Sequence, residues 1–240
     1  RNKIKEFLFS NDYVYKESLE GETNSGFFIF KNTIYDDLDI ASTRSRSSYF
    51  SHYTALTIHD LTIQIPKQIY LTWERANYIP TKKNKIIQSS LDLVFSNPPR
   101  TTSNKRVFKK FTVNFINGQA QRDIGIIPFR EVYLVSDLER TLIDASVRPF
   151  YCGGVAQVLE GYKKSKEKLD TTKLFEYYSR MNFTYPFHQV IGYYLEKAGY
   201  PESSFNPFLE LDMELDFYLT YNILNKDYSN KWKLFIPKGL

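Results

Sequence analysis

Three histidines, one cysteine and two closely spaced carboxylate pairs are the residues of this 240-residue chain best suited to chemistry. His52 and His59 stand seven positions apart, which on a helix is about 10.5 Å along the axis at about 1.5 Å per residue. A single metal ion needs ligands closer than that, and His188 is the only other histidine. Hydrogen-bonding roles are expected for His52 and His59. Cys152 lies between Tyr151 and Gly153-Gly154, with Arg148 as its nearest cation. A thiolate nucleophile needs a base and a lowered pKa, so Cys152 is expected to be a small buried residue. Asp37-Leu38-Asp39 and Asp212-Met213-Glu214 have a spacing that could hold magnesium. A nucleotidyltransferase core sets a Gly-Ser turn ahead of such a pair, and the chain has no Gly-Ser dipeptide. None of the 27 Asp and Glu residues is followed two positions later by Lys, the spacing of a restriction-type nuclease core. No G-x-S-x-G elbow and no glycine-rich phosphate loop occurs either. The expectation is a chain with no catalytic residues, no metal and no cofactor.

The charges carry a clearer pattern. The net charge is +5 and the pI about 9.0, a mild bias that tolerates an anionic partner. Between Lys67 and Lys110 lie Lys82, Lys83, Lys85, Arg100, Lys105, Arg106, Lys109 and Lys110, opposed only by Glu74 and Asp92. Glu210, Asp212, Glu214 and Asp216 make the later chain acidic. The eight basic residues are the expected contacts to nucleic acid or to a protein partner. Tyr78 and Phe108 interleave with them, as suits a single strand. They fall on loops and a hairpin, so contacts there would position phosphates without reading sequence. Ordinary solvated loops are the other reading.

Composition bounds the rest. Aromatic residues make up 17% of the chain, with nineteen each of Tyr and Phe, which suits an aromatic-rich core. No apolar run approaches the eighteen or so residues of a membrane span, and no signal-peptide pattern is visible. One cysteine excludes an intramolecular disulfide. A cytoplasmic protein with no membrane partner is expected.

These residues must be positioned by a strand-rich first half and a helix-rich second half. A helix is expected over residues 3–16, turn chemistry over Gly21–Ser25, a strand over Gly26–Lys31 and a polar loop over Asp36–Ser48. A helix over Ser47–Leu61 and a strand over Gln68–Trp73 follow, then a basic loop over Asn77–Lys85 and an apolar, β-branched stretch over Ile86–Phe95. Val107–Ile116 alternates as one strand, and Asn117-Gly118 reads as a tight hairpin turn. Ile124–Ile127 and Glu131–Val135 read as short strands. Helices are then expected over Ser136–Ser146, Gly154–Lys164, Thr171–Met181 and Phe187–Gly199, with returning strands within Phe208–Tyr221 and Lys231–Ile236. Strands before helices indicate an α+β fold, a small mixed sheet followed by a helical subdomain.

The stretch Ser136–Asp144, with Val147-Arg148-Pro149-Phe150-Tyr151-Cys152-Gly153-Gly154 after it, is the most distinctive in the chain. Ser136 and Glu139 have the spacing of a capping box. Leu138, Leu142 and Ile143 share a face expected to be buried, and Arg140, Asp144 and Arg148 form a charge ladder on the opposite side. Pro149 and the two glycines stop the helix.

This stretch, "DLERTLIDASVRPFYCGG", resembles the central signature of the AbiEi family, antitoxins of bacterial abortive-infection toxin–antitoxin pairs. A second block, Tyr49-Phe50-Ser51-His52-Tyr53-Thr54-Ala55-Leu56 followed by Leu61-Thr62 and Gln64–Thr72, is similar to the family's upstream block, and the two together cover about residues 47–200. The resemblance implies a non-enzymatic antitoxin opposing a cognate nucleotidyltransferase toxin. It also implies repression of its own operon through an N-terminal winged helix that binds DNA. Tyr49, His52, Arg140 and Arg148 match the family blocks, with mainly structural roles expected. The chain begins at Arg1 and residues 1–46 are too few for a complete winged helix, so a remnant or diverged wing is expected there, ahead of an antitoxin domain over 47–240 (strand-rich 47–135, helix-rich 136–240). The alternative is a stand-alone nucleic-acid-binding transcriptional regulator with no toxin partner.

Overall fold

The computed structural model describes residues 2–18, 27–43, 47–64, 67–75, 85–181 and 183–240. The turn expected at Gly21–Ser25 and the basic loop except Lys85, including Tyr78, Lys82 and Lys83, lie outside the described residues. The fold is α+β. Helix α1 (Asn2–Ser10) ends four residues short of strand β1 (Val14–Glu17), which pairs antiparallel with β2 (Phe27–Phe30). Asp12, with φ of 59°, turns the chain where the sequence suggested that the helix would continue.

A six-stranded mixed sheet forms the first half's framework. In sheet order it runs β5 (Lys105–Phe108), β6 (Phe111–Gly118), β4 (Gln68–Glu74), β3 (Tyr49–Phe50), β8 (Tyr133–Ser136) and β7 (Ile126–Phe129). β4 and β6 lie parallel over seven residue pairs, from Gln68 opposite Thr112 to Glu74 opposite Gly118.

Four expectations for this half are corrected. The single strand over Val107–Ile116 is two strands, because Lys109, with φ of 52°, and Lys110 turn the chain. That turn lets Phe108 and Phe111, which opposite parity would send to opposite faces of one strand, bury together with ring centroids 5.6 Å apart. The hairpin is therefore at Lys109-Lys110, and Asn117-Gly118 continue β6. The helix expected from Ser47 begins as strand β3, which fills the gap between β4 and β8, and only then becomes α3 (His52–Ile58). The polar loop over Asp36–Ser48 contains α2 (Asp37–Ser42), held by a capping box in which Asp36 accepts from the Asp39 amide and Asp39 from the Asp36 amide.

The apolar stretch before Asn97 is α4 (Gln88–Phe95). The second half runs α5 (Leu138–Val147), a single 3-10 turn (Pro149–Tyr151), α6 (Val155–Lys164), α7 (Thr171–Met181), α8 (Phe187–Lys197) and α9 (Glu202–Leu209). It closes with a small sheet of β9 (Phe217–Tyr218), β10 (Lys226–Ser229) and β11 (Leu234–Pro237). The larger core lies among the helices and includes Leu142, Ile143, Tyr162, Tyr194, Phe208 and Trp232. A second core beneath the sheet joins Phe50, Leu71, Val113 and Val135 to Ile29 of β2 and Ile40 of α2.

The start of α5 differs from the expected cap. Asp137 is the N-cap and accepts the Arg140 amide at 2.9 Å, while the Ser136 hydroxyl pairs with Thr141 at 2.8 Å. Glu139, buried, accepts from the Asp170 amide at 3.1 Å and from Lys173 at 2.7 Å, tying α5 to α7.

Candidate functional site

The charge ladder on α5 does not face solvent. Arg140 is 3% exposed, and its guanidinium reaches four groups at once. Nη2 donates to the Tyr49 hydroxyl of β3 at 2.9 Å and to Glu74 Oε1 of β4 at 3.0 Å. Nε donates to both Asp144 oxygens, at 3.0 and 3.1 Å, and Nη1 to the Ile124 carbonyl at 2.8 Å. A buried charge is tolerated when paired and hydrogen-bonded, and among the described residues Arg140 has two carboxylate partners and four of its five N–H groups engaged. Glu74 is held in turn, its Oε2 accepting the Gln121 and Asp123 amides at 2.6 and 3.3 Å.

The electrostatics follow from burial. Burial opposes the Arg140 charge, but Asp144, Tyr49 and Glu74 more than compensate and raise its pKa. Burial also raises the Asp144 carboxyl above its ordinary value, against the pull of Arg140. It raises the Tyr49 hydroxyl likewise, so Tyr49 stays a neutral dipole in the network.

His52 opens α3 with φ of 51°, a left-handed conformation in which a non-glycine residue is strained. Its Nδ1 lies 2.9 Å from the Ser51 hydroxyl, which lies 2.7 Å from that of Thr72, and its ring meets Tyr151 edge-on at 5.3 Å. Burial, reinforced by Arg148 and Arg140, pushes its pKa well below the usual value, so the ring is neutral. His59 is half-buried, and its Nε2 donates at 2.7 Å to the Ser136 carbonyl, which can only accept. Both histidines have the hydrogen-bonding roles expected. Cys152 is fully buried, and burial followed by Asp144 raises its thiol well above the usual range, which disarms it as a nucleophile.

This network forms one wall of a cleft of about 680 Å³. Tyr49, His52, Arg140, Asp144 and Arg148 line that side, and Gly118, Gln119 and Gln121 close it from the end of β6. Arg100 enters from the loop after α4. Aromatic residues also line it, with Phe150 from the 3-10 turn, Phe183 and Tyr185 between α7 and α8, and Tyr221. Tyr221 is anchored by stacking on Phe95, centroids 4.4 Å apart and planes 17° from parallel. Among the described residues Arg100 and Arg148 have no ion pair and no side-chain hydrogen bond.

Six of the eight sequence-predicted contacts are among the described residues, Lys82 and Lys83 lying outside them, and of the six Arg100 alone lines the cleft. Lys105, Arg106, Lys109 and Lys110 lie on the β5–β6 hairpin at the sheet's edge, where Lys109 stands 3.8 Å from Glu17 of β1. Lys85 pairs with Glu214 at 3.5 Å, in the acidic part of the chain. Sequence reasoning picked out Arg140 on α5 and Arg148 at its C-cap but not the cleft they line, because Phe150, Phe183, Tyr185 and Tyr221 come from three separate connections. The carboxylate pairs are engaged elsewhere: Asp39 accepts the α2 cap and the Tyr133 hydroxyl at 2.7 Å, and Glu214 takes Lys85. No group of three or more His, Cys, Asp or Glu among the described residues is placed to hold a metal ion, and no described helix is long and apolar enough to cross a membrane.

No protein-family model and no curated protein sequence matches the chain. Among solved structures, it is similar to the crystal structure of RV2827C protein from Mycobacterium tuberculosis. The likeness has a TM-score of 0.59 at 13% identity, covering 98% of this chain and 78% of that one. At that identity it is a likeness of fold alone.

Proposed function

We propose that this chain is the antitoxin of a bacterial abortive-infection pair of the AbiEi type, non-enzymatic, cytoplasmic and opposing a nucleotidyltransferase toxin. The observation that carries the reading is the convergence of the two sequence blocks that resemble that family. Tyr49 and His52 of the first block line one cleft with Arg140, Asp144 and Arg148 of the second. Tyr49 and Arg140, 91 positions apart, are in direct hydrogen-bonded contact. Two unrelated chance matches have no reason to fold into one network, whereas a signature kept as a unit does.

Autorepression of the operon belongs to the same reading. Helix α1 followed by the β1–β2 hairpin has the order of a recognition helix and its wing. The test is growth rescue, with the protein encoded beside this gene expressed alone and together with this chain. Arrest by the neighbour alone and recovery with this chain is the expected result. A harmless neighbour, or arrest that persists with this chain abundant and soluble, sinks the proposal.

A second reading, a nucleic-acid-binding regulator without a toxin partner, draws support from the β5–β6 hairpin. Lys105, Lys109 and Lys110 are all exposed on it. It requires affinity for DNA or RNA that falls steeply with salt.

A further inference from the structure

The cleft beside α5 has three properties that together select a ligand. Its volume of about 680 Å³ is that of a small-molecule site. Its polar wall holds three guanidinium groups, Arg100, Arg140 and Arg148, against the carboxylates of Asp144 and, behind Arg140, Glu74. Arg140 commits four of its five N–H groups to those two carboxylates, Tyr49 and Ile124, so it braces the wall. Arg148 and Arg100 make no ion pair and no side-chain hydrogen bond among the described residues, and Arg148 is close enough to Asp144 and Tyr221 for its charge to act on both. Arg148 stands where the helix has ended and its side chain is half-buried, so an anion reaching it meets a partly desolvated charge. His52, neutral through burial, neither competes for that anion nor repels it.

The same cleft offers flat rings. Tyr221 is fixed by its stack on Phe95, and Phe150 meets Tyr221 edge-on at 6.0 Å, giving a rigid aromatic corner. A ligand with an anionic end and a flat heteroaromatic ring suits both sets of residues, through guanidinium–phosphate hydrogen bonds and ring stacking.

We propose that this cleft binds a nucleoside phosphate, the phosphate on Arg148 and Arg100 and the base against the Phe150–Tyr221 corner. The proposal stands on the cleft alone and does not depend on the antitoxin reading. A free nucleotide and the phosphorylated end of a strand present the same chemistry, so the experiment separates them.

Isothermal titration calorimetry of the full chain would use ATP, GTP, CTP, UTP, inorganic phosphate and a 5′-phosphorylated hexanucleotide RNA. At least one nucleotide or the hexanucleotide is expected to bind in the micromolar range, with inorganic phosphate at least tenfold weaker. Arg148→Gln and Arg100→Gln should each weaken binding about tenfold, while Lys164→Gln, which removes the same charge from the exposed end of α6, should not. Arg100 is exposed and unpaired among the described residues, so its variant keeps the test decisive even if Arg148→Gln perturbs folding. Binding of the hexanucleotide without free nucleotides would identify the source as a strand end. The proposal is overturned if nothing binds at millimolar concentration, if inorganic phosphate binds as tightly as any nucleotide, or if Arg100→Gln binds like Lys164→Gln.

Discussion

Arg140 of α5 donates to Glu74 of β4 at 3.0 Å, with the two side chains 4% and 6% exposed. This contact locks the helical half of the molecule to the sheet across 66 positions of sequence. It sits behind the cleft wall and sets the position of Tyr49 and Asp144.

Breaking that contact should be costly from the cationic side. Arg140→Ala takes from buried Glu74 and Asp144 the guanidinium that pairs with both, and removing one partner of a buried pair costs about 3–5 kcal/mol. Urea unfolding at pH 7 measures it. The deficit should shrink in acid, because the Asp144 carboxyl, whose folded pKa is raised, favours the folded state as it takes up a proton. Glu74→Gln keeps Asp144 on Arg140 and should cost less. Equal losses for the two variants would contradict the arrangement.

Gly192 on α8 should accept no side chain. A Cβ there would lie 2.1 Å from Cη2 of Trp232, a fully buried ring with little room to move. The Trp232 indole N–H is also held, donating to Glu196 at 2.5 Å. Gly192→Ala is expected to cost about 3 kcal/mol or to prevent folding, since overpacking a tight core costs about 1–3 kcal/mol and occasionally more. A thermal melt within about 2 °C of the unaltered protein would refute the packing.

Acid should destabilise the protein through its buried histidines. Burial lowers His188 from 6.5 to about 4 and pushes His52 well below 6.5. A lowered folded pKa means that the unfolded chain binds protons first as pH falls, so stability is full above 6.5 and declines toward 4. His188 alone accounts for a loss of about 3 kcal/mol across that window, at about 1.4 kcal/mol per unit. Urea midpoints at pH 7, 6 and 5 should drop progressively, and His188→Gln should flatten the drop. An unchanged slope in that variant would remove His188 as the cause.

The basic hairpin gives the runner-up function its own test. Charge reversal at Lys105, Lys109 and Lys110 should abolish nucleic-acid affinity measured by fluorescence anisotropy, if those lysines meet phosphates. Each lost contact should reduce the log–log salt slope by about 0.7–0.9. Affinity that survives the triple reversal would exclude the hairpin. Loss of growth rescue with nucleic-acid affinity intact would assign the lysines to the toxin.

Local chemistry was legible in the sequence wherever a residue's neighbours in the chain decide its state. The helix Thr171–Met181 matches its expected bounds, and the α+β order follows from periodicity that changes after Ser136. Cys152 and the histidines also have the bland roles that their spacing indicated. What the sequence could not decide was which faces are covered. Arg140 and Asp144 read as a solvated ladder because helical spacing separates two faces without saying what packs on the second. The sheet end at Tyr49 and Glu74 covers it. Tyr49-Phe50 is a strand only because β4 and β8 leave a slot two residues long, too short for any periodicity to announce. The cleft was hidden for the same reason: its aromatic and cationic walls are drawn from distant segments and exist only once burial of the two cores has brought those segments together.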